Sequence, residues 1–495
     1  MTRDNRIDRF DVAIVGAGPA GAAAAHQLAA WGHSVALLGR RPGKRALAES
    51  LPPSCVKLFD RLGIRQVVDA AGFVRSSGNT VQWAGQPKRI EPFDAGALGY
   101  QVPRDRFDAL LVRAAADSGA TVFSDAVVRE VERDGGGCFV RFDRSAERAV
   151  LRAPWVLDCS GRAGVVARRG WREAEGSGRT TAIVGVWERA QAWPVDAPAH
   201  TLVESYDGGW AWSVPVNHAR RYVTVMLDPT VTELPHRGRL ADAYRSELAR
   251  TDMLSALVKG ATMVEPPWGC DASPYFAPVA ARDGMLLVGD AASFVDPLSS
   301  FGVKKALASA WLASVAVHTS LLDSSMAMVA LGMFSHREQT MYRRLQQQSA
   351  SVSREASGTY ASEFWRGRGE MTFDDSSGDL DAAALRSDPR VHGAFERLKA
   401  KSSVSLRPAA SLRVVEQATV RGNRIVLGPH LVAEGVPGIR YCRNVDLVLI
   451  ARLAPRYEQV PDLFEAYNRA APPAPLPDFL GALSTLIALD MLSLA

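Results

Sequence analysis

Hydrophobic and polar positions follow different periods in successive parts of this chain. Apolar runs at residues 11–15 and 34–38 flank an apolar helical stretch at 22–31, which predicts a strand–helix–strand unit. Between residues 178 and 270, period-two segments separated by turn residues predict antiparallel strands. After residue 320 the apolar positions follow the helical period. The pattern therefore predicts an α/β body with an inserted antiparallel sheet and additional helices.

The changes of period divide the chain into an α/β domain made of two segments, an inserted sheet domain, a helical region and a C-terminal module. Their predicted bounds are, in that order, 1–175 with 275–320, 176–274, 321–405 and 406–495. A polar, acidic stretch near 367–381 indicates a linker. In the last module, a hairpin pattern with Gly422 and Asn423 at its turn precedes three apolar helical stretches, as in a small α+β, winged-helix-like unit. This module either packs as an appendage or docks a protein or tethered substrate.

The composition argues against several classes of protein. The 495 residues carry a formal net charge of +5, and basic residues are spread among acidic ones, so nucleic acid is not an expected partner. No apolar run reaches the roughly 20 residues of a membrane span, and the polar start lacks the apolar core of a signal peptide. The five cysteines are scattered, without the CxxC spacing of a metal site. We expect a cytoplasmic protein with no membrane contact and no bound metal.

A glycine signature, GAGPAG, joins the first apolar strand to the helix that follows it. Gly16 turns the chain, Gly18 lets the backbone approach a pyrophosphate, and Gly21 permits close packing of the helix on the sheet. Ala20 lies in the same segment, where backbone N–H groups at a helix start can face an anion. Because two strands and a helix frame this signature, it predicts dinucleotide binding rather than tight helix packing alone.

The end of the second strand departs from the usual dinucleotide-binding pattern. The acidic residue that ordinarily holds a ribose hydroxyl is missing, since Gly39 stands there, followed by Arg40 and Arg41. We expect these arginines or the backbone to hold the adenosine end of the ligand. The stretch gives no support to a nicotinamide cofactor at this site.

A second signature, GMLLVGDAASFVDP, also ends an apolar strand and opens a helix. Gly289 and Asp290 lie at its turn, and the segment WVLDCSGRAG provides a further strand end with Asp158. Backbone N–H groups at two helix starts can then face the anionic parts of one ligand. Together the two signatures outline a cradle for FAD.

The segment after the second signature contains Pro297, Ser300 and Gly302, and we predict that a helix starts near Val303. The positive end of this helix can point at the pyrimidine edge of a flavin, where the reduced form carries negative charge. Stabilising that charge favours the reduced flavin that reacts with dioxygen. The lysine pair that follows Val303 is expected to be solvated.

With these motifs, residues 9–320 resemble the flavoprotein monooxygenase group that also contains the flavin-dependent halogenases. The resemblance implies that Asp290 contacts ribityl or ribose hydroxyls and that Arg104 lies near the cofactor, unless Arg104 is an exposed residue at a helix start. Glu49 and Ser50 stand where this group has a Glu-Ser or Glu-Ala pair followed by proline. Glu49 then contacts the flavin or orients a substrate proton, or it only caps the following helix.

The stretch GGWAWSVPV resembles the WxWxIP element that halogenases place beside the flavin. Alternation puts Trp210 and Trp212 on one face of a strand, either beside the cofactor or in an ordinary core. Halogenases of this group also need a lysine, whose amine forms a haloamine or donates a hydrogen bond. Ser76 occupies the place of that lysine, and the neighbouring Arg75 stays protonated and is too weak a nucleophile. The missing lysine argues against halogenation.

The lysine-lacking version of this body resembles flavoproteins that oxidise a tryptophan side chain within another polypeptide during quinone cofactor maturation. We predict an FAD-dependent monooxygenase that hydroxylates an electron-rich aromatic ring, such as a peptide-borne indole, through a C4a-hydroperoxyflavin formed with dioxygen. Trp210, Trp212, Glu49 and Ser76 are the candidate catalytic residues. Electrons come from NAD(P)H or from reduced flavin made by a separate reductase. The alternatives are a halogenase of a tethered phenol, pyrrole or indole that uses another lysine, and a flavin-binding assembly protein.

Overall fold

A computed structural model describes residues 7–40, 45–145, 147–174, 178–230, 232, 240–299, 301–371, 385 and 388–494. The chain forms two compact units, Met1–Phe373 and Asp374–Ala495. The second unit begins ahead of the predicted boundary at residue 406, because the helix Pro389–Lys399 packs on the helix Leu476–Ala488. In the part of the chain that the structure describes, no helix combines the length and the apolar character that a membrane crossing requires.

A mostly parallel sheet forms the centre of the first unit. Its strands stand in the order Ala281–Arg282, Met285–Leu287, Trp155–Asp158, Val12–Val15, Val35–Leu38 and Thr121–Phe123. All neighbouring strands run parallel except the first two, which are antiparallel. Val12–Val15 and Val35–Leu38 are apolar and buried at every position, as expected for strands covered on both faces. The sheet confirms the predicted α/β, Rossmann-like fold.

Two helices follow the predicted cofactor motifs. Pro19–Ala30 and Gly302–Leu322 pack against each other, and their many alanines allow the two backbones to approach closely. The packed pair fixes the loops that precede each helix. The first unit also contains the helices Val56–Leu62, Arg65–Asp69, Arg104–Asp117, Leu240–Leu248, Met253–Val258, Ala327–Ser357 and Glu363–Gly369.

The inserted sheet confirms the period-two pattern of residues 178–270. Its described strands stand in the order Thr262–Asp271, Thr181–Glu188, Arg220–Leu227, Gly209–Pro215, Thr201–Tyr206, Gly78–Gln82 and Arg89–Pro92. Neighbours are antiparallel, apart from the parallel pair Thr201–Tyr206 and Gly78–Gln82. The last two strands precede residue 176, so the sheet also takes strands from the first segment of the α/β domain.

Smaller sheets connect these layers. One consists of Asp8–Arg9, Glu147–Ala153, Gly137–Arg144 and Ala126–Asp134; a second of Ala48–Leu51, Gly99–Pro103 and Val74–Ser76; a third of Glu173–Ala174, Tyr275–Phe276 and Ser293–Phe294. The second sheet brings the segments of Glu49 and Ser76 together. The third attaches the loop after Gly289 to the end of the inserted sheet domain.

The second unit has its own apolar core. Strands Arg413–Arg421 and Arg424–Ala433 form the predicted hairpin, and Gly422 at its turn has φ of +64°. Helices Leu447–Leu453, Val460–Ala470 and Leu476–Ala488 match the three predicted helical stretches. The remaining described elements are Pro389–Lys399, Leu406–Pro408, Val436–Ile439, Tyr441–Cys442, Val445–Asp446 and Leu492–Leu494. Its likeness to a winged helix stays a prediction.

Candidate active site

The first glycine signature depends on backbone geometry that larger residues would disturb. Gly16 has φ of +107°, and its N–H donates to the carbonyl of Leu38 at 2.7 Å. A Cβ atom at Gly21 would lie only 1.8 Å from the carbonyl oxygen of Gly16, so the helix could not approach the loop. At Gly18, by contrast, a Cβ atom would meet no protein atom within 4 Å. Gly18 therefore faces open space, where a ligand can approach the backbone.

Both signature helices begin without a neutralising side chain. Gly18 caps Pro19–Ala30 and Phe301 caps Gly302–Leu322, and neither helix has a side-chain cap or an acidic residue in its first turn. Their first N–H groups therefore remain as unneutralised positive ends. This arrangement suits the pyrophosphate and the anionic flavin edge of FAD, so the residues present fit that cofactor.

The two signatures meet in the structure. Gly289 has φ of +64° and opens a short 3-10 turn, Gly289–Ala291. The prediction that this signature opens directly onto a helix was wrong, because the strand Ser293–Phe294 intervenes and the helix begins at Gly302. A Cβ atom there would lie 3.3 Å from the side chain of Ala20 and 3.3 Å from Ala306. The second signature thus lies directly against the first helix, as the FAD cradle requires. We refer to Gly289–Ala291 as the cofactor turn.

Lys305 is a buried lysine that bonds to the cofactor turn. Its side chain is 2% exposed, and its ammonium group bonds to the carbonyl of Gly289 and to the Asp290 carboxylate, each at 3.3 Å. A further bond reaches the carbonyl of Ser293. The expectation of a solvated lysine was therefore wrong at this position. Lys305 shares a helix face with Ser309 and Leu312, and that helical spacing was the signal for burial.

The carboxylate of Asp158 is hydrogen-bonded within the protein. Its side chain is 1% exposed, and its carboxylate accepts hydrogen bonds from Ser160 and from the N–H groups of Val166 and Ala167. Because both oxygens are occupied within the protein, Asp158 shapes the loop after its strand. Its place among the cofactor-binding residues stays a prediction.

The end of the second strand explains why an acid is missing there. A Cβ atom at Gly39 would lie 2.4 Å from the side chain of Ala17, so this position accepts only glycine while the first loop keeps its course. Arg40 is exposed beside it. Arg41 and Ser300, both expected at the cofactor, lie outside the described residues.

Arg104 is not the exposed helix-start residue of the alternative interpretation. Its guanidinium bonds to both oxygens of Asp108, at 2.9 and 3.0 Å, and to Glu49 at 3.4 Å. Although burial disfavours its charge, Asp108, Glu49 and Asp290 raise the pKa of Arg104. Burial raises the pKa of Glu49, while Arg104 opposes that rise and Asp290 adds to it. The structure thus brings Arg104, Glu49 and Asp290 into one electrostatic group beside the cofactor turn.

The other expected cofactor residues surround the same region. Ser50 is half-buried on the strand that carries Glu49, and Pro297 is half-buried in the segment after the second signature. Gly302 is exposed at the helix start, and a Cβ atom there would meet nothing within 4 Å. The side chain of Val303 is 4% exposed, so only its backbone is available to a ligand.

Trp210 and Trp212 lie on one face of their strand, as alternation predicts. Their rings stack with centroids 4.7 Å apart and planes at 26°. Trp210 is 2% exposed, and its indole N–H has no hydrogen-bond partner among the described residues. We call the surrounding set the aromatic cluster; it is formed by Trp83, Trp210, Trp365 and Phe364, with Trp212, Tyr360, Phe294 and Leu298 packed against it. Phe294 and Leu298 belong to the segment that follows the cofactor turn, so the cluster adjoins the cradle.

The environment of Ser76 does not support a catalytic role. It is 1% exposed and its hydroxyl donates to the carbonyl of Gly78 at 2.9 Å, within the same turn of chain. A serine held in this way lacks a base and lacks access to a ligand, so its expected catalytic role is not supported by its position.

Asp296 and Arg368 are charged residues that the sequence reasoning missed. Asp296 is 7% exposed, immediately before Pro297, and accepts a hydrogen bond from the N–H of Leu298 at 3.0 Å. Burial raises the pKa of Asp296, while the Arg368 guanidinium and the Leu298 N–H oppose the rise. The aspartate of the segment FVDP was the available signal, because an acid inside an apolar stretch next to a cofactor motif is unusual.

Comparisons with known proteins agree with this geometry. A model of the FAD binding domain family matches residues 9–315, more than half of the chain. Tryptophan 2-halogenase from Chondromyces crocatus is 31% identical over 319 residues, a stretch that covers 62% of this chain and 60% of that protein. The chain therefore matches somewhat less than two thirds of the length of this relative.

Two solved structures share the fold over nearly the whole chain. The flavin-dependent halogenase CmlS has a TM-score of 0.80 at 23% identity, over 99% of this chain and 96% of its own. The peptidyl tryptophan dihydroxylase QhpG has a TM-score of 0.68 at 23% identity, over 98% of this chain and 99% of its own. The chain belongs to the FAD binding domain family, as a halogenase-like flavoprotein with FAD as its cofactor.

Proposed function

We propose that this protein is an FAD-dependent monooxygenase that hydroxylates an electron-rich aromatic ring, with a tryptophan side chain in a peptide or protein as its substrate. The observation that carries the proposal is Ser76, a buried and hydrogen-bonded serine at the place where the halogenase resemblance requires a lysine. QhpG, which shares the fold of this chain, is a peptidyl tryptophan dihydroxylase, and this likeness supports a peptide-borne tryptophan as the substrate.

The described lysines of the first unit support hydroxylation over halogenation. The ammonium group of Lys305 bonds to the cofactor turn and to the carbonyl of Ser293, and Lys88 pairs with a surface carboxylate at 2.9 Å. Lys304 lies over a phenylalanine ring, 4.4 Å from its centroid, and Lys57 and Lys259 are exposed. Haloamine chemistry needs an amine that faces the substrate, and four of these five environments do not provide one. Burial lowers the pKa of Lys304, so Lys304 is the amine that the halogenase alternative would have to use.

Bound FAD would supply the activation of dioxygen, and the protein's own residues would bind, orient and deprotonate the substrate. The rings of Trp83, Trp210 and Trp365 are buried, so we assign the incoming indole to the partly buried edge of the aromatic cluster, which Trp212, Tyr360 and Phe294 form. When oxygen is added to a ring carbon, that carbon loses its proton. We assign the proton to Asp296, since this carboxylate is buried next to Leu298 of the cluster and has a raised pKa.

A flavin-dependent halogenase is the second candidate. Tryptophan 2-halogenase from Chondromyces crocatus is 31% identical over the matched stretch, and the stacked Trp210 and Trp212 have the halogenase spacing. This activity would require an amine other than the one that the resemblance places at Ser76.

One experiment separates these functions. Holoprotein is incubated with dioxygen and a tryptophan-containing peptide, with and without bromide, and the product mass is measured. Electrons are supplied by NAD(P)H alone or by NAD(P)H with a flavin reductase, which also identifies the donor. A halide-independent gain of one or two oxygen atoms on tryptophan supports hydroxylation. A bromide-dependent product overturns it in favour of halogenation, and a yellow protein that modifies no aromatic substrate favours the assembly role. A peptide with phenylalanine in place of tryptophan is the control.

A further inference from the structure

Close to the cofactor turn lies a buried carboxylate with one oxygen that lacks a hydrogen-bond partner. Glu338, on the helix Ala327–Ser357, is 7% exposed, and its Oε2 atom has no hydrogen-bond partner among the described residues. An ionised carboxylate in such a place is strongly disfavoured relative to its neutral form. The charge of Glu338 therefore depends on the groups around it.

Ser309 connects Glu338 to the cofactor turn. Its Oγ atom accepts a hydrogen bond from the N–H of Gly289 at 2.8 Å, and its hydroxyl lies close enough to the Glu338 carboxyl to lower the pKa of that group. One helical turn earlier, Lys305 holds the carbonyl of Gly289 and the carboxylate of Asp290. Two neighbouring positions on one helix therefore link the cofactor turn to Glu338.

The charges of Glu338, Lys305 and Asp290 act on one another. Burial raises the pKa of Glu338 to about 7, Asp290 adds to the rise, and Lys305 and the Ser309 hydroxyl oppose it. On its own helix, Tyr342 lies one turn further along and stacks on Phe276. Ionisation of Glu338 therefore adds one negative charge next to the cofactor turn, where Asp290 already interacts with Lys305, Arg104 and Glu49.

We propose that Glu338 is a proton-linked positioning residue for FAD, acting through Ser309 and Lys305 on the cofactor turn. The pyrophosphate of FAD is anionic, so an ionised Glu338 repels it and competes with the turn for the Lys305 ammonium group. A proton taken up by Glu338 removes this repulsion. FAD therefore binds more tightly at about pH 6 than at about pH 8. The inference needs FAD binding alone and does not depend on the hydroxylation proposed above.

The test measures the release of FAD from the holoprotein. Holoprotein is diluted at about pH 6, 7 and 8, and the fluorescence of free flavin gives the Kd. We expect the Kd to rise on the order of tenfold from the lowest to the highest pH. Glu338→Gln, which mimics the neutral acid, should hold FAD at the low-pH affinity throughout. Glu355→Gln, an exposed position on the same helix, should keep the wild-type dependence.

A wild-type Kd that is constant over this range, or a Glu338→Gln protein that keeps the dependence, would overturn the proposal. If that variant does not fold, proton release from the wild type decides the question. Displacement of FAD in weak buffer slightly above pH 7 should free a fraction of a proton per flavin, because binding took it up. No release would contradict the inference. Neither readout involves an aromatic product, so the result is separate from that of the hydroxylation assay.

Discussion

The FAD cradle and the aromatic cluster lie next to each other but are built from opposite kinds of parts. The cradle depends on backbone: Gly16 and Gly289 have positive φ, and Gly21 lets a helix reach a carbonyl oxygen. The aromatic cluster depends on large side chains from distant segments, such as Trp83 and Trp365. A cofactor site that depends on glycine backbone tolerates little change in shape. The proposed substrate site depends on side chains, so it can be altered without loss of the cofactor.

The largest effect should come from the glycines of the cradle. Gly21→Ala would place its Cβ atom 1.8 Å from the Gly16 carbonyl, so we expect a loss of more than about 4 kcal/mol in the free energy of unfolding. Gly18→Ala is the matched control, because its Cβ atom meets no protein atom within 4 Å. Its stability should change by less than about 1 kcal/mol while FAD affinity falls at least about tenfold. Denaturant unfolding and flavin fluorescence measure both, and an unchanged affinity in Gly18→Ala would contradict the cradle.

Removing Trp210 should damage the second region and spare the first. Trp210→Ala deletes a side chain that is 2% exposed, so we expect a loss of about 3 kcal/mol or more in stability. Folded protein should keep its yellow colour and lose product formation. Trp193→Ala, in a separate buried cluster of the inserted sheet domain, should lose similar stability and keep its activity per folded molecule. Equal activity loss in both variants would show that Trp210 is only a core residue.

Asp296→Asn tests the chemistry at the border of the two regions. If Asp296 accepts the ring proton, the variant should form product about a hundredfold more slowly. Burial raises the pKa of Asp296, so the wild-type rate should fall as the pH drops through that raised value and Asp296 becomes protonated. The variant should lack this fall. Asp228→Asn, whose carboxylate lies 4.0 Å from Arg368, is the control that should keep the wild-type pH profile.

The smallest effect is expected at Lys88, which belongs to neither region. Its ammonium group pairs with Asp196 at 2.9 Å, and both side chains are largely exposed. Lys88→Met should change stability by less than about 0.5 kcal/mol, since surface ion pairs contribute little. Product yield should be unchanged with or without halide. A halide-dependent loss of product would place this lysine in the reaction and favour the halogenase.

Particular residues show where sequence reasoning succeeded and where it failed. The helix starts, the strand ends and the shared face of Trp210 and Trp212 were predictable, because each follows from local period and glycine placement. The environments of Lys305 and Asp158 were not. Whether a charged side chain is solvated or buried depends on elements that arrive from elsewhere in the chain.

The sequence by itself determined the α/β fold, the FAD cradle and the pairing of the two indoles. Backbone conformation and strand alternation depend on neighbouring residues, so they leave a readable pattern. Only the tertiary structure decided that Lys305 holds the cofactor turn, that Asp158 is enclosed by its own loop, and that Glu338 and Asp296 are buried acids. Burial and electrostatic coupling are collective properties of packed elements, and no single segment encodes them.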